Sequence, residues 1–234
     1  LLRLAVALIA VLALADHAAA TEVAVDVGHT LAAPGAVSAR GGREFDFNLR
    51  LATKVAAALA ERKLEVRSIN FDGLIASLDE RPKEAAGSDL FVSIHHDSVQ
   101  EALLEEWEWN GRTETYSDRY RGFSLFVSRA SPDLATSLRC ASAIGASLRR
   151  AGFTPATHHA DSLAQTPRPY LDADNAVHAY DNLVVLYRTT LPALLFEAGI
   201  IKNRDEELLL LDEVRQERMA DAVATGVAAC LYAR

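Results

Sequence analysis

At 234 residues, half of them apolar, the chain is long enough to bury one substantial core. A formal charge of -8 excludes a surface built to neutralise a phosphate backbone, so nucleic acid is not an expected partner. Two cysteines are too few for a zinc ribbon, which leaves histidine and carboxylate as the groups that could hold a metal.

The first twenty residues stand apart. Arg3 precedes an apolar run through Leu14, and Ala18-Ala19-Ala20 leads into the polar Thr21-Glu22. A short apolar core followed by small residues is the layout of a secretory signal peptide, too short for a comfortable membrane span. Residues 1–20 are therefore read as a leader, with a retained anchor as the alternative, and 21–234 as one exported domain without a stable membrane span, expected to be a monomer.

Glu22 to Gly28 alternates valine with smaller or acidic residues and closes on His29, the pattern of a first strand with a histidine at its end. A loop rich in Gly and Pro follows from Ala32 to Arg43. Glu44 then opens a helix whose apolar stripe runs through Phe45, Leu49, Ala52, Val55, Ala56 and Leu59. Leu64 to Ile69 reads as a second strand, and Phe71 to Ala86 as a helical connection interrupted near Pro82. The apolar run from Leu90 to Ile94 ends abruptly in His95, His96 and Asp97, as a buried strand does when it delivers polar groups to the open end of a sheet.

Val99 to Arg121, acidic and aromatic, reads as a surface insertion with three forms open to it: a substrate-binding rim of Trp and Tyr, a partly occluding insert whose carboxylates approach a metal, or a solvated helix packed by its two Trp residues. A strand over Gly122 to Ser128 and a helix over Asp133 to Ala151 come next. Phe153 to Tyr180 is loop-rich, and its His158-His159 pair is read as surface histidines. Leu183 to Tyr187 suggests a short strand. Leu191 to Phe196 is another buried strand ending in an acid, Glu197, and a single long helix is expected from Arg204 or Asp205 to Tyr232. Cys140 and Cys230 sit inside helical patterns, where export would let them pair and burial as free thiols is equally compatible. Strands alternating with helices predict an α/β single-domain sandwich, a largely parallel twisted sheet covered by helices on both faces.

Strand ends of a parallel sheet converge on one edge, so His29, His95 and Glu197 can share a site with Glu44. Two imidazoles and a carboxylate make a three-ligand zinc site with room for water, and a second carboxylate can take that water's proton. By chemistry alone either Glu44 or Glu197 could be the ligand and the other the base.

The segments Val25-Asp26-Val27-Gly28-His29, Pro34-Gly35-Ala36, Glu44 with Asn48-Leu49, Ser93-Ile94-His95, and Leu195-Phe196-Glu197-Ala198-Gly199 with Asn203 resemble, in order, the motifs of the zinc-dependent N-acetylmuramoyl-L-alanine amidases of the Amidase_3 family. The resemblance implies that His29, Glu44 and His95 bind Zn2+ and that Glu197 is the catalytic carboxylate. It implies hydrolysis of the amide between N-acetylmuramic acid and L-alanine of the peptidoglycan stem peptide, in the periplasm or cell envelope. Some family members carry a regulatory helix that an activator protein displaces, so an activator is a possible partner here. Departures from the family pattern lie at Thr30-Leu31, at His96 and at Ser68-Ile69-Asn70. Other readings of the same residues are a zinc peptidase cutting peptidoglycan cross-links and a catalytically silent wall-binding protein.

Three further residues are candidates for supporting or substrate contacts. His96 is read as such a contact or as a solvated histidine. Asp26, on the opposite strand face from His29, either orients the site or caps a loop. Arg188 could meet a substrate anion, with a structural ion pair as the plainer reading.

Overall fold

The chain's architecture is that of a computed structural model, which describes residues 20–160 and 167–233. The expected leader, apart from Ala20, lies outside the described residues. The described strands are β1 (Glu22–Val27), β2 (Glu65–Ile69), β3 (Leu90–Asp97), β4 (Glu105–Trp109), β5 (Arg112–Tyr116), β6 (Ser124–Val127), β7 (Tyr170–Asp172), β8 (Val177–Ala179) and β9 (Ala193–Ile200). The helices are α1 (Glu44–Glu61), α2 (Glu80–Glu84), α3 (Leu134–Arg150), α4 (Val184–Tyr187), α5 (Arg204–Leu211) and α6 (Glu213–Tyr232).

Seven strands form one sheet in the order β2-β1-β3-β9-β6-β8-β7. β2, β1, β3 and β9 run parallel, as do β6 and β8, while β6 meets β9 and β7 meets β8 antiparallel. Alternation along each strand divides the core in two. Val23, Val25, Val27, Leu90, Val92, Ile94, Leu194 and Phe196 face the large core beneath α1, α3 and α6. Ala24, Phe91, Ala193 and Leu195 face a smaller one that includes Val185 and Leu186 of α4. At roughly 1.5–3 kcal/mol for each fully buried aliphatic side chain, the large face supplies most of the driving force. Cys140 of α3 and Cys230 of α6 are joined by a disulfide inside this large core.

The structure corrects several expectations. The 99–121 insertion is not a solvated helix: after a single 3-10 turn at Glu101–Leu103, β4 and β5 form an antiparallel hairpin turned by Asn110-Gly111, both at positive φ. Asn-Gly is the preferred pair for a tight hairpin turn, because both central residues must adopt left-handed backbone. Leu183–Tyr187 is no strand, since Val184–Tyr187 makes a helical turn that buries Val185 and Leu186; so short an apolar run has no readable period. The connection over 71–86 is mostly irregular, with α2 as its helix. The last helix is broken at Asp212, whose extended backbone and carboxylate, accepting from the Arg215 N–H, start α6 afresh.

Candidate active site

β1, β3 and β9 end side by side, so their C-terminal residues share one edge of the sheet. His29 follows β1 at φ 68, a left-handed conformation that costs a non-glycine residue on the order of 1 kcal/mol. Two side chains hold it there. Asn70 Nδ2 donates to the carbonyls of Val27 (2.7 Å) and His29 (2.6 Å), and the Arg81 guanidinium donates to the same two oxygens. Arg81 is itself buried and anchored by Asp26 at 3.6 Å, and Asp26 accepts from Ser93 Oγ at 2.6 Å. Asp26 is thus linked to the His29 backbone through Arg81.

Glu44 is the hub. Its Oε1 lies 2.9 Å from His29 Nε2 and 3.1 Å from His95 Nδ1, and it accepts from Asn48 Nδ2 at 3.2 Å. Its Oε2 accepts from the Ala36 N–H at 3.0 Å. Burial alone would raise the proton affinity of Glu44, but the two imidazoles outweigh it and hold the group well below the usual carboxylate range. Gly28 and Gly35 make this approach possible, since a Cβ on the first would overlap the His95 ring and one on the second would overlap Glu44 and His29. The three donor atoms lie within 4.8 Å of one another, a set of two imidazoles and one carboxylate that suits a zinc-type ion.

His96 is buried, not solvated. Its Nδ1 faces Asn48 Oδ1 at 2.8 Å, so it steadies the side chain that steadies Glu44, and burial pushes its pKa down to about 3. Glu197 stands beside His95 in the parallel register of β3 and β9. Its Oε2 is buried without a hydrogen-bond partner among the described residues. Burial first, then the charges of Asp97 and Glu44, push its proton affinity well above the ordinary value, with Arg168 opposing.

Arg188 is not brought to this edge. It lies exposed at the end of α4, 3.7 Å from Asp79 and stacked on Tyr187. Conversely, His158 and His159 are not surface residues: their side chains are 9% and 7% exposed and both approach Asp97. Asp97 Oδ2 accepts from His159 Nε2 at 2.6 Å and lies 3.0 Å from His158 Nε2. Arg168 Nη1 donates to His159 Nδ1 at 2.7 Å. Sequence reading found no role for Arg81, Asp97 or Arg168. The one available signal was the position of Asp97, two residues past His95 at the end of the same apolar strand.

The hairpin β4–β5 is fastened over the 33–43 loop. Trp107 Nε1 donates to the Ala39 carbonyl at 2.9 Å, and Arg40 stacks on Trp107 and Trp109. Glu105 and Glu108 accept hydrogen bonds from Tyr116 and Thr113 within the hairpin itself.

Residues 23–229 match the profile of the N-acetylmuramoyl-L-alanine amidase family, Amidase_3. Among solved structures, the chain is similar to the amidase Ami1 of Mycobacterium smegmatis, at 21% identity and a TM-score of 0.72 over 92% of this chain and 98% of that one. It is also similar to the catalytic domain of the amidase CwlV from Bacillus (Paenibacillus) polymyxa var. colistinus, at 28% identity and a TM-score of 0.67 over 92% and 99%. The amidase CwlD from Clostridioides difficile, solved in complex with the GerS lipoprotein, matches at 21% identity and a TM-score of 0.67 over 92% and 100%. No curated protein sequence gives a significant match. With a profile match spanning nearly all the described chain and an α/β fold shared with these enzymes, the chain belongs to the N-acetylmuramoyl-L-alanine amidase family.

Proposed function

We propose that this chain is an exported, zinc-dependent N-acetylmuramoyl-L-alanine amidase of the cell envelope, with His29, Glu44 and His95 holding the ion and Glu197 moving the proton. The observation that carries the reading is the unpartnered carboxylate oxygen of Glu197 beside a convergent pair of imidazoles on Glu44. The Cys140–Cys230 disulfide supports export, because such bonds persist in oxidising compartments. Among the described residues no helix is long and apolar enough to cross a membrane.

Bound zinc supplies Lewis acidity and makes water a nucleophile near neutral pH. The chain's own residues do the rest. Glu44 and the clamped backbone at His29 fix the ligand geometry, so little reorganisation is needed when substrate arrives. Glu197 accepts the proton of the attacking water as oxygen adds to the lactyl carbonyl carbon. It returns that proton to the L-alanine nitrogen as the C–N bond breaks, and the water's second proton leaves the new carboxyl group for the freed amine, giving a muramyl carboxylate and a free stem peptide with an ammonium terminus. Peptidoglycan is the proposed substrate, and a protein activator remains part of the proposal because one structural neighbour is solved with a lipoprotein.

Digestion of purified peptidoglycan, with and without chelator and beside Glu197→Gln, tests the reading by mass spectrometry of the soluble products. Free stem peptides beginning with L-alanine, absent in both controls, are expected. Cut cross-links with the lactyl amide intact would assign a peptidase instead, and no metal-dependent product would favour a wall-binding role.

A further inference from the structure

Nothing in the amidase chemistry uses His158, whose buried Nδ1 has no partner among the described residues and whose Nε2 meets only the Asp97 carboxylate, at 3.0 Å. We propose that Asp97, His158 and His159 form a second divalent-metal site, for a borderline transition ion of the zinc type, on the sheet edge beside Glu197.

The geometry repeats that of the first cluster. In each, two imidazole nitrogens converge on one carboxylate oxygen, at 2.9 and 3.1 Å on Glu44 and at 3.0 and 2.6 Å on Asp97. In each, the three donor atoms lie within 4.8 Å of one another. Donors about 2.0–2.1 Å from a tetrahedral ion sit roughly 3.3 Å apart, so the imidazole-to-carboxylate separations of both clusters lie within about 0.7 Å of what the ion requires. Asp97 is prepared for the task, since its Oδ1 accepts from the Ser98 N–H at 2.8 Å while Oδ2 faces the histidines.

A hydrogen-bonded network without an ion accounts for both nitrogens of His159 but leaves His158 Nδ1 without a partner among the described residues. In the metal-free arrangement His159 carries its proton on Nε2, donates it to Asp97 and accepts at Nδ1 from Arg168. Loading shifts the imidazole to its other tautomer, with the Nε2 lone pair on the ion and the proton on Nδ1, so no net proton is lost from the ring. Arg168 then gives up that contact, keeping its stack on Tyr180, where its guanidinium carbon lies 3.9 Å from the ring centroid. Arg168 thus opposes loading and sets its affinity.

The test is metal stoichiometry, which needs no peptidoglycan and so fails independently of the amidase reading. The chelator-stripped chain is titrated with Co2+, followed by its d–d absorption, and desalted Zn2+-loaded protein is counted by plasma mass spectrometry. Two equivalents per chain are expected, falling to one in the His158→Ala/His159→Ala double variant and to one in His95→Ala. Asp97→Asn provides the same loss with the histidines in place, should the double variant fail to fold. A single equivalent in the unaltered chain overturns the proposal and leaves a hydrogen-bonded network. A second equivalent that survives removal of both histidines overturns it too.

Discussion

The two histidine and carboxylate clusters on this sheet edge are alike in geometry and unlike in origin. His29, Glu44 and His95 come from the end of β1, the start of α1 and the end of β3, all regular elements. In the other cluster only Asp97 closes a strand; His158 and His159 sit on a short helical turn in the connection after α3, and Arg168 sits just before β7. The first cluster is also backed by Asn48, Asn70 and Arg81, whereas the second depends on Arg168 and the Ser98 N–H. Regular elements deliver converging side chains with their supports, because one helix turn or strand end places several at once. A loop delivers them singly, and its side chains are held by what they touch.

The sharpest way to separate the clusters is to remove one group from each role. Glu197→Gln should lower stem-peptide release by roughly 10²–10⁴-fold while metal content stays that of the unaltered chain. Activity within tenfold of the unaltered chain would take Glu197 out of proton transfer. Asn48→Ala, which frees both Glu44 and His96, should weaken zinc at the first cluster by roughly 10–100-fold in competition with a chromophoric chelator. Equal affinity would mean that the Ala36 N–H alone suffices to hold Glu44.

Arg168→Gln should act in the opposite sense, strengthening Co2+ binding at the second cluster by about tenfold, because a side-chain oxygen can accept from His159 Nδ1–H where the guanidinium cannot. Weaker binding would show that Arg168 supports the cluster instead of opposing it.

The smallest effect concerns pH. Burial holds His96, beside the first cluster, at a pKa of about 3 and His178, whose ring lies 5.6 Å from that of His159, at about 4. Both are neutral in the fold yet gain a proton in the unfolded chain near 6.5, so the unfolded state binds more protons below that pH. Stability of chelated protein should therefore fall from pH 6.5 towards 4, by up to about 1.4 kcal/mol per pH unit for each histidine. Denaturant melts of His96→Asn and of His178→Asn should each show a shallower slope than the unaltered chain. A change in neither slope would place the acid sensitivity elsewhere.

The legible part of the molecule follows the regular elements. Alternating valines in β1, the apolar run of β3 and the run ending in Glu197 each marked a buried strand with a polar terminus, and the stripe behind Glu44 marked α1. Residues acting across sequence were not legible in the same way. Arg81 carries no local signal within the 71–86 connection, yet it is buried against Asp26 and the backbone of His29. His158 and His159 carried no periodicity that could predict burial, because their partner is Asp97 on a strand far away in sequence. The hairpin, by contrast, was legible and overlooked: Asn110-Gly111 between alternating residues states its turn in local terms.

The sequence by itself determined the alternation of strand and helix, the two-faced core, and the family motifs that end on His29, Glu44, His95 and Glu197, because hydrophobic period and local chain chemistry act over a few residues. Only the tertiary structure decided that Cys140 meets Cys230, that Arg81 and Asn70 clamp the His29 backbone, and that a loop lays two histidines on Asp97. Those contacts join residues that no local period relates, and they exist only once packing of the helices on the sheet has brought the segments together.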